Sequence, residues 1–357
     1  MHNFARLIAV VAFGAAGAAS AGAALAQDSM TVNGTTITVG GGGQYLSLPD
    51  IKFTGVGSPG SFHRQTNDNF SNYGGVGSGA IETGLGYWGG YRVTGAVKGF
   101  FANMDDDQRS NCAAGGLRCL VIDPTGTFAA GAPSLATHTS RDVDYWGGAA
   151  EVKLWSGQPV EVRPNLLRND YMIVGADVRG IDQNNDLNGH SGGTSVFKYQ
   201  EDLNTTYYGG YIGFGGEYSF GFIPGIKNVG GLYDRLGLRT FISARAGLYE
   251  ADTDYDGKYA LQFVPFSSKI SKSNDDLAFI GTISLETRKQ IGPRTSLSLF
   301  TDYEYISSVP KMHYSDGDRP TRIDDEGTFA TRTMLRLNIA LGGPPVEAAP
   351  VYNEPLK

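Results

Sequence analysis

The run Asp252-Thr253-Asp254-Tyr255-Asp256-Gly257 begins like a calcium loop, in which alternating carboxylates converge on a hard cation and a glycine makes the turn. The twelfth position is Phe263 where a bidentate glutamate belongs, so Asp252, Asp254 and Asp256 are a weak calcium candidate set against a solvated acidic loop. Asp105, Asp106 and Asp107 read as a solvated run. Gly189-His190-Ser191-Gly192-Gly193 fits G-x-S-x-G, but a nucleophile elbow needs a strand, a sharp turn and a helix, and this stretch lies in an Asn/Gly-rich loop. His313 with Asp316 and Asp318 offers a surface acid/base group and little more. The sequence therefore predicts no enzyme, and no cofactor beyond the calcium candidate.

The elements that carry these residues start with an export signal. Arg6 stands in a short polar head, an alanine-rich apolar run follows from Leu7 to Ala24, and Ala24-Leu25-Ala26 precedes Gln27; this predicts a secretory signal peptide over 1–26, cut after Ala26. No later stretch approaches the ~20 consecutive apolar residues of a spanning helix. A mature chain that enters a membrane must then do so as a closed barrel. In an exported chain Cys112 and Cys119, close together in a polar loop with no histidine between them, predict a local disulfide rather than a metal site. Abundant glycine (51), tyrosine (19) and phenylalanine (18) favour strands and turns. A net charge of -7 argues against a nucleic-acid partner, which needs a basic face.

Segments of about ten residues with two-residue periodicity fill the rest, the length a tilted strand needs to cross a bilayer. In 329–341, Phe329, Leu335, Leu337, Ile339 and Leu341 share one face, and Arg332 and Arg336 the other. Further strands are predicted at 77–88, 91–103, 143–154, 170–182, 205–222, 236–250, 277–290 and 295–305. A further strand at 44–54 is interrupted by Pro49. Residues 27–43, with the Gly40–Gly43 run, are expected as a periplasmic segment with a flexible hinge, and 343–357 as a periplasmic tail. The breaks near Gly89, Ser156, Pro224 and Gly292 are short or moderate, whereas 55–76, 104–142, 183–204, 251–276 and 306–328 are long. A soluble sandwich gives no reason for that alternation; a barrel with short periplasmic turns and long outer loops does.

The chain thus resembles, over about 44–342, the bacterial outer-membrane β-barrel superfamily, in the manner of a small porin-like or autotransporter-like barrel. The resemblance rests on the export signal, the repeated dyads and the loop rhythm. It implies an all-β, closed, antiparallel up-and-down transmembrane barrel of about ten strands in the outer membrane, with lipid, lipopolysaccharide and the barrel-assembly machinery as partners. One departure is that the last strand runs into Gly342-Gly343 instead of ending on the aromatic residue common in such chains. Glu82, Glu151, Asp177, Glu217, Glu286, Asp302 and Glu304 fall on the inward faces with Arg92, Lys98, Lys153, Arg179, Arg239, Arg245, Arg288, Arg332 and Arg336. Nearly balanced charge in a narrow barrel predicts a salt-bridged network that fills the lumen, or else a hydrophilic path helped by inward glycines at 84, 86, 209, 213 and 215. The expected role is structural, or narrow porin-like passage or binding of small solutes; the alternative is surface recognition through long outer loops.

Overall fold

A computed structural model describes residues 34–49, 52–58, 61–64, 72–112, 118–125, 129–132, 135–156, 160–163, 166–218, 238–262, 267–315 and 320–341. Ten long strands run β1 (Thr35–Leu46), β2 (Asn72–Trp88), β3 (Tyr91–Cys112), β4 (Leu135–Trp155), β5 (Leu166–Ser191), β6 (Thr194–Tyr218), β7 (Leu238–Leu261), β8 (Ser267–Gly292), β9 (Thr295–His313) and β10 (Arg322–Leu341). Each pairs antiparallel with its sequence neighbours, and β1 pairs with β10, so the sheet closes on itself without a free edge. The fold is the all-β, up-and-down barrel that the dyads predict.

The first strand differs from expectation. β1 starts at Thr35 and ends at Leu46, paired throughout with Thr83–Asn72 of β2 and Leu341–Ala330 of β10. The segment 35–43 is therefore barrel wall, not a periplasmic extension, and 44–54 is a strand only as far as Leu46. Two of the glycines that suggested a hinge, Gly40 and Gly42, are there for close approach. A Cβ at Gly40 would lie 2.6 Å from Cγ of Arg336, its partner across the β1–β10 seam, and one at Gly42 would strike the Thr333 carbonyl.

Outward positions carry an apolar band: Val39, Leu85, Val152, Val174, Ile212, Phe214, Leu248, Ile283, Leu297 and Leu335 are all exposed. Aromatic residues rim it, with Tyr87, Trp88 and Tyr91 at the end of the tight Gly89-Gly90 turn and Tyr208, Tyr303 and Phe329 at the other. A lipid-facing barrel needs such a band, ~25 Å tall between two aromatic girdles.

Beyond the upper girdle the strands continue. At ~3.3 Å per residue and a tilt of ~40°, the 26 residues of β5 span about 65 Å, which leaves roughly 40 Å outside the lipid. The regions expected as long loops are largely this overhang; 183–204 is strand apart from a two-residue turn at Gly192 and Gly193 (φ 58° and 82°). Where the lipid ends, the dyad inverts. On β7, Ile242 and Leu248 face out and Arg239 and Arg245 in; farther along, Glu250, Asp252, Asp254, Asp256 and Lys258 face out while Ala251, Tyr255 and Tyr259 are buried. A small four-stranded sheet of 61–64, 55–58, 118–122 and 129–132 comes from the β1–β2 and β3–β4 connections.

Candidate functional site

Three layers fill the lumen from the tight-turn end outward. The lowest is ionic. Lys153 Nζ lies 2.6 Å from Glu82 and 3.7 Å from Glu151, which also pairs with Lys98 and accepts from Tyr211 at 2.7 Å. Around the wall, Arg288 holds Glu286 at 2.8 Å, Arg336 reaches Glu286 at 3.9 Å, and Arg239 meets Glu217 at 3.2 Å. Arg332 grips Asp302 with Nε and Nη2, and Arg179 bridges Asp177 and Glu304. Glu304 also accepts from Tyr145 and Thr282. Arg92 and Arg245 lie instead over the rings of Trp155 and Tyr211.

Three of the inward glycines, Gly209, Gly213 and Gly215, do not open this layer. A Cβ at Gly215 would meet the ring of Tyr171 directly opposite, one at Gly209 the ring of Tyr249, and one at Gly213 the Arg245 side chain. Their missing side chains make room for neighbours that then occupy the space. Gly86, with φ 110°, sits at a bulge in β2 near the turn.

The second layer is apolar, with Leu46, Leu48, Met104, Val143, Ile181, Tyr207, Ile280 and Ile306 buried together. The third is a cap. The chain leaves β1 and turns into the mouth, where Arg141 donates to the Pro49 carbonyl at 3.3 and 3.2 Å, and Phe53 packs among Phe197, Tyr199, Tyr259 and Tyr314. Cys119, in the small sheet, joins the same apolar cluster. The Pro124 carbonyl accepts from the Ser315 amide and the Thr321 hydroxyl, tying that connection to the one after β9.

At the centre of the cap lies Glu201, which accepts from Tyr314, from Tyr255 at 3.1 Å and from Asn185 at 2.9 Å. Burial pushes its carboxyl up, and the hydrogen bond from Tyr314, the charge of Arg141 and the bonds from Tyr255 and Asn185 offset only part of that. Burial likewise raises the Tyr314 hydroxyl. Sequence reading missed Arg141, Asn185 and Glu201 because it treated these stretches as loops. The signal was present on β6, where Tyr199, Glu201, Leu203, Tyr207 and Tyr211 share one parity.

The remaining sequence candidates separate. Asp252, Asp254 and Asp256 lie on a continuous strand, all facing outward, so consecutive carboxylates stand about 6.8 Å apart along it and do not encircle one ion. Asp256 instead accepts from Ser271, which holds its carboxyl below the ordinary range, helped by Lys269 at 3.4 Å. Among the described residues no cluster of three histidine, cysteine or acidic side chains could hold a metal. Gly189–Gly193 is a strand end and its hairpin turn, with no helix behind Ser191. His313 Nδ1 faces Asp324 at 3.7 Å, while Asp316 and Asp318 lie outside the described residues. Cys119 is disulfide-bonded; the side chain of Cys112, where β3 ends, lies outside the described residues, as do 1–33 and 342–357.

The fold is a closed, up-and-down β-barrel with an apolar outer band. No family model and no curated protein matches the chain. Solved structures do. The outer-membrane protease OmpT from Escherichia coli is 8% identical over 88% of this chain and 99% of its own, with a TM-score of 0.44. The CymD monoaromatic hydrocarbon channel is 9% identical over 88% and 90%, at 0.27, and an anion-selective porin from Comamonas acidovorans is 8% identical over 86% and 98%, at 0.17. At these identities the likeness concerns fold alone. It does correct the expectation of a non-enzyme, which rested on the want of a catalytic signature. An outer-membrane protease is among the barrels that align. A TM-score of 0.44 equally assigns this chain no activity.

Proposed function

We propose that the chain is an exported outer-membrane protein, cut after Ala26, whose barrel is closed at rest and whose work is the binding of small solutes at the capped outer end. The observation that carries this is the succession of ionic, apolar and aromatic layers across the lumen. Each is built from side chains of several strands, so a solute cannot pass unless the cap moves and the layers beneath it rearrange. The lower layers then act as a rigid pedestal that holds the mouth well clear of the lipid. Pairing of Cys119 with Cys112 would tie the end of β3 to the cap.

Purified protein in a planar bilayer tests this. We expect an electrically silent membrane with correctly folded, heat-modifiable protein present. Discrete conductance steps from the unmodified chain would overturn the closed-barrel reading in favour of a narrow porin. A second reading, recognition of a large partner, is favoured by the polar outer walls of β5 to β8 above the lipid. It predicts binding that is lost when outward residues of the overhang are changed and indifferent to changes inside the mouth.

A further inference from the structure

Phe53 belongs to no strand, yet it is completely buried. It is delivered by the β1–β2 connection into a box of four rings. Tyr199 at 4.6 Å and Phe197 at 5.3 Å stack on it, Tyr314 meets it edge-on at 5.4 Å, and Tyr259 is tilted at 6.0 Å. Phe197 and Tyr199 come from β6, Tyr259 from β7 and Tyr314 from just after β9. These rings also contact one another: Tyr199 lies 5.8 Å from Tyr314 and 6.4 Å from Tyr259, and Phe197 lies 6.1 Å from Tyr259. The box is therefore a property of the barrel wall, and its occupant is a loop residue.

A polar corner adjoins it. Tyr314 of the box hydrogen-bonds to Glu201, and both line a cavity of ≈ 10 Å3 with Pro49, Arg141 and Gln183. Gln183 Nε2 is buried there without a hydrogen-bond partner among the described residues. A buried donor left unpaired costs about 1–3 kcal/mol, so a ligand oxygen that reached it would be favoured. A hydroxyl on an aromatic ring offers an acceptor to Gln183 and a hydrogen bond to a carboxyl oxygen of Glu201. The four rings of the box are uncharged and buried, which disfavours a charged ring in their midst.

The occupant is also placed to leave. Lys52, immediately before Phe53, is exposed, while Thr54 and Gly55 after it are buried and Gly55 opens the small sheet, so the ring withdraws together with that edge of the cap and no barrel strand is broken. The Arg141 to Pro49 hydrogen bonds tether that segment on the β1 side.

We infer that this box is a binding site for a small uncharged aromatic ligand carrying a hydroxyl, of the phenol class, and that Phe53 is its built-in stand-in, expelled when the ligand enters. This rests on the reading that solutes bind at the outer end. Conductance decides that reading independently of the outcome here.

The test uses the full chain in detergent, phenol as ligand and trypsin as reporter. The Lys52–Phe53 bond is shielded while Phe53 fills the box and becomes cleavable when it leaves. With free phenol at about ten times its Kd, competition for one box raises the rate of that nick, read by mass spectrometry, about tenfold. Phe53→Ala, checked for folding by heat-modifiability, binds phenol by calorimetry with no competitor to displace. Cyclohexanol, of similar size without a π face, leaves both readouts unchanged. The inference is overturned if folded Phe53→Ala takes up no phenol, if it does but phenol never speeds the cut after Lys52 in the unmodified chain, or if cyclohexanol acts as well as phenol.

Discussion

The Arg179 guanidinium reaches across the lumen to the Glu304 carboxylate, joining β5 to β9, strands that share no hydrogen-bonded edge. Their side chains are only 3% and 1% exposed, and Asp177, Tyr145 and Thr282 complete the cluster. A buried pair of this kind gains little over a well-packed apolar pair, but the loss of one partner leaves a desolvated charge. Arg179→Ala is expected to cost about 3–5 kcal/mol in denaturant unfolding from detergent. Replacing Arg179 with Met, Glu304 with Leu and Asp177 with Asn together removes both carboxylates that Arg179 holds and is expected to restore most of that stability. A triple variant as unstable as Arg179→Ala would mean the ion pairs themselves, and not the orphaned carboxylates, carry the effect.

Leu248 and Asp254 both face outward on β7, on opposite sides of the point where the dyad inverts. Leu248→Arg puts a cation into hydrocarbon at an expected cost of about 2–4 kcal/mol near the midplane and less toward the girdle. Asp254→Arg, in water, is expected to leave folding into liposomes unchanged. Equal effects at the two positions, measured as unfolding free energy in bilayers, would show that the lipid boundary lies elsewhere.

The inversion also accounts for how far the sequence could be read. Within the lipid, apolar-out and charged-in alternation is unambiguous, and strands such as 277–290, 295–305 and 329–341 fall inside their observed limits. Above it, Asp252 or Asn184 points to water while Tyr255 or Ile181 points inward, so a search for charges on the inner face sees the pattern stop and infers a loop. The lumen charges were legible because parity and sign are one-dimensional. Which carboxylate each arginine takes was not, since Arg179 to Glu304 depends on the circumference of the closed ring. The cap was invisible for the same reason: nothing local to Phe53 says that it ends among Phe197, Tyr199, Tyr259 and Tyr314.

Gly42 shows the opposite failure, a residue type over-read as flexibility. It is extended, faces the lumen, and its missing Cβ is what lets the β10 backbone at Thr333 pass. Gly42→Ala is expected to cost about 1–3 kcal/mol through overpacking at the closing seam. Gly41→Ala, where the nearest heavy atom would lie 3.7 Å away, should be tolerated. The fraction of heat-modifiable protein after refolding distinguishes them, and equal yields would sink the close-approach account.

Glu201 gives the cap a pH dependence whose sign follows from its burial. Its carboxyl titrates above the ordinary 4.5 in the folded state, so above that pH the folded chain holds a proton that the unfolded chain has released. Unfolding then releases a proton, and rising pH favours it. The contribution of this group is greatest below the ordinary carboxylate value and declines as pH climbs through the raised one. Glu201→Gln keeps an oxygen acceptor for Tyr314, Tyr255 or Asn185 and has no proton to lose. The thermal midpoint of the unmodified protein, followed by near-ultraviolet tyrosine dichroism, is expected to fall as pH is raised from 4.5, and the same scan of Glu201→Gln to lack that component. Parallel curves for the two proteins would show that the carboxyl under the cap stays ionised throughout, with Arg141 outweighing burial.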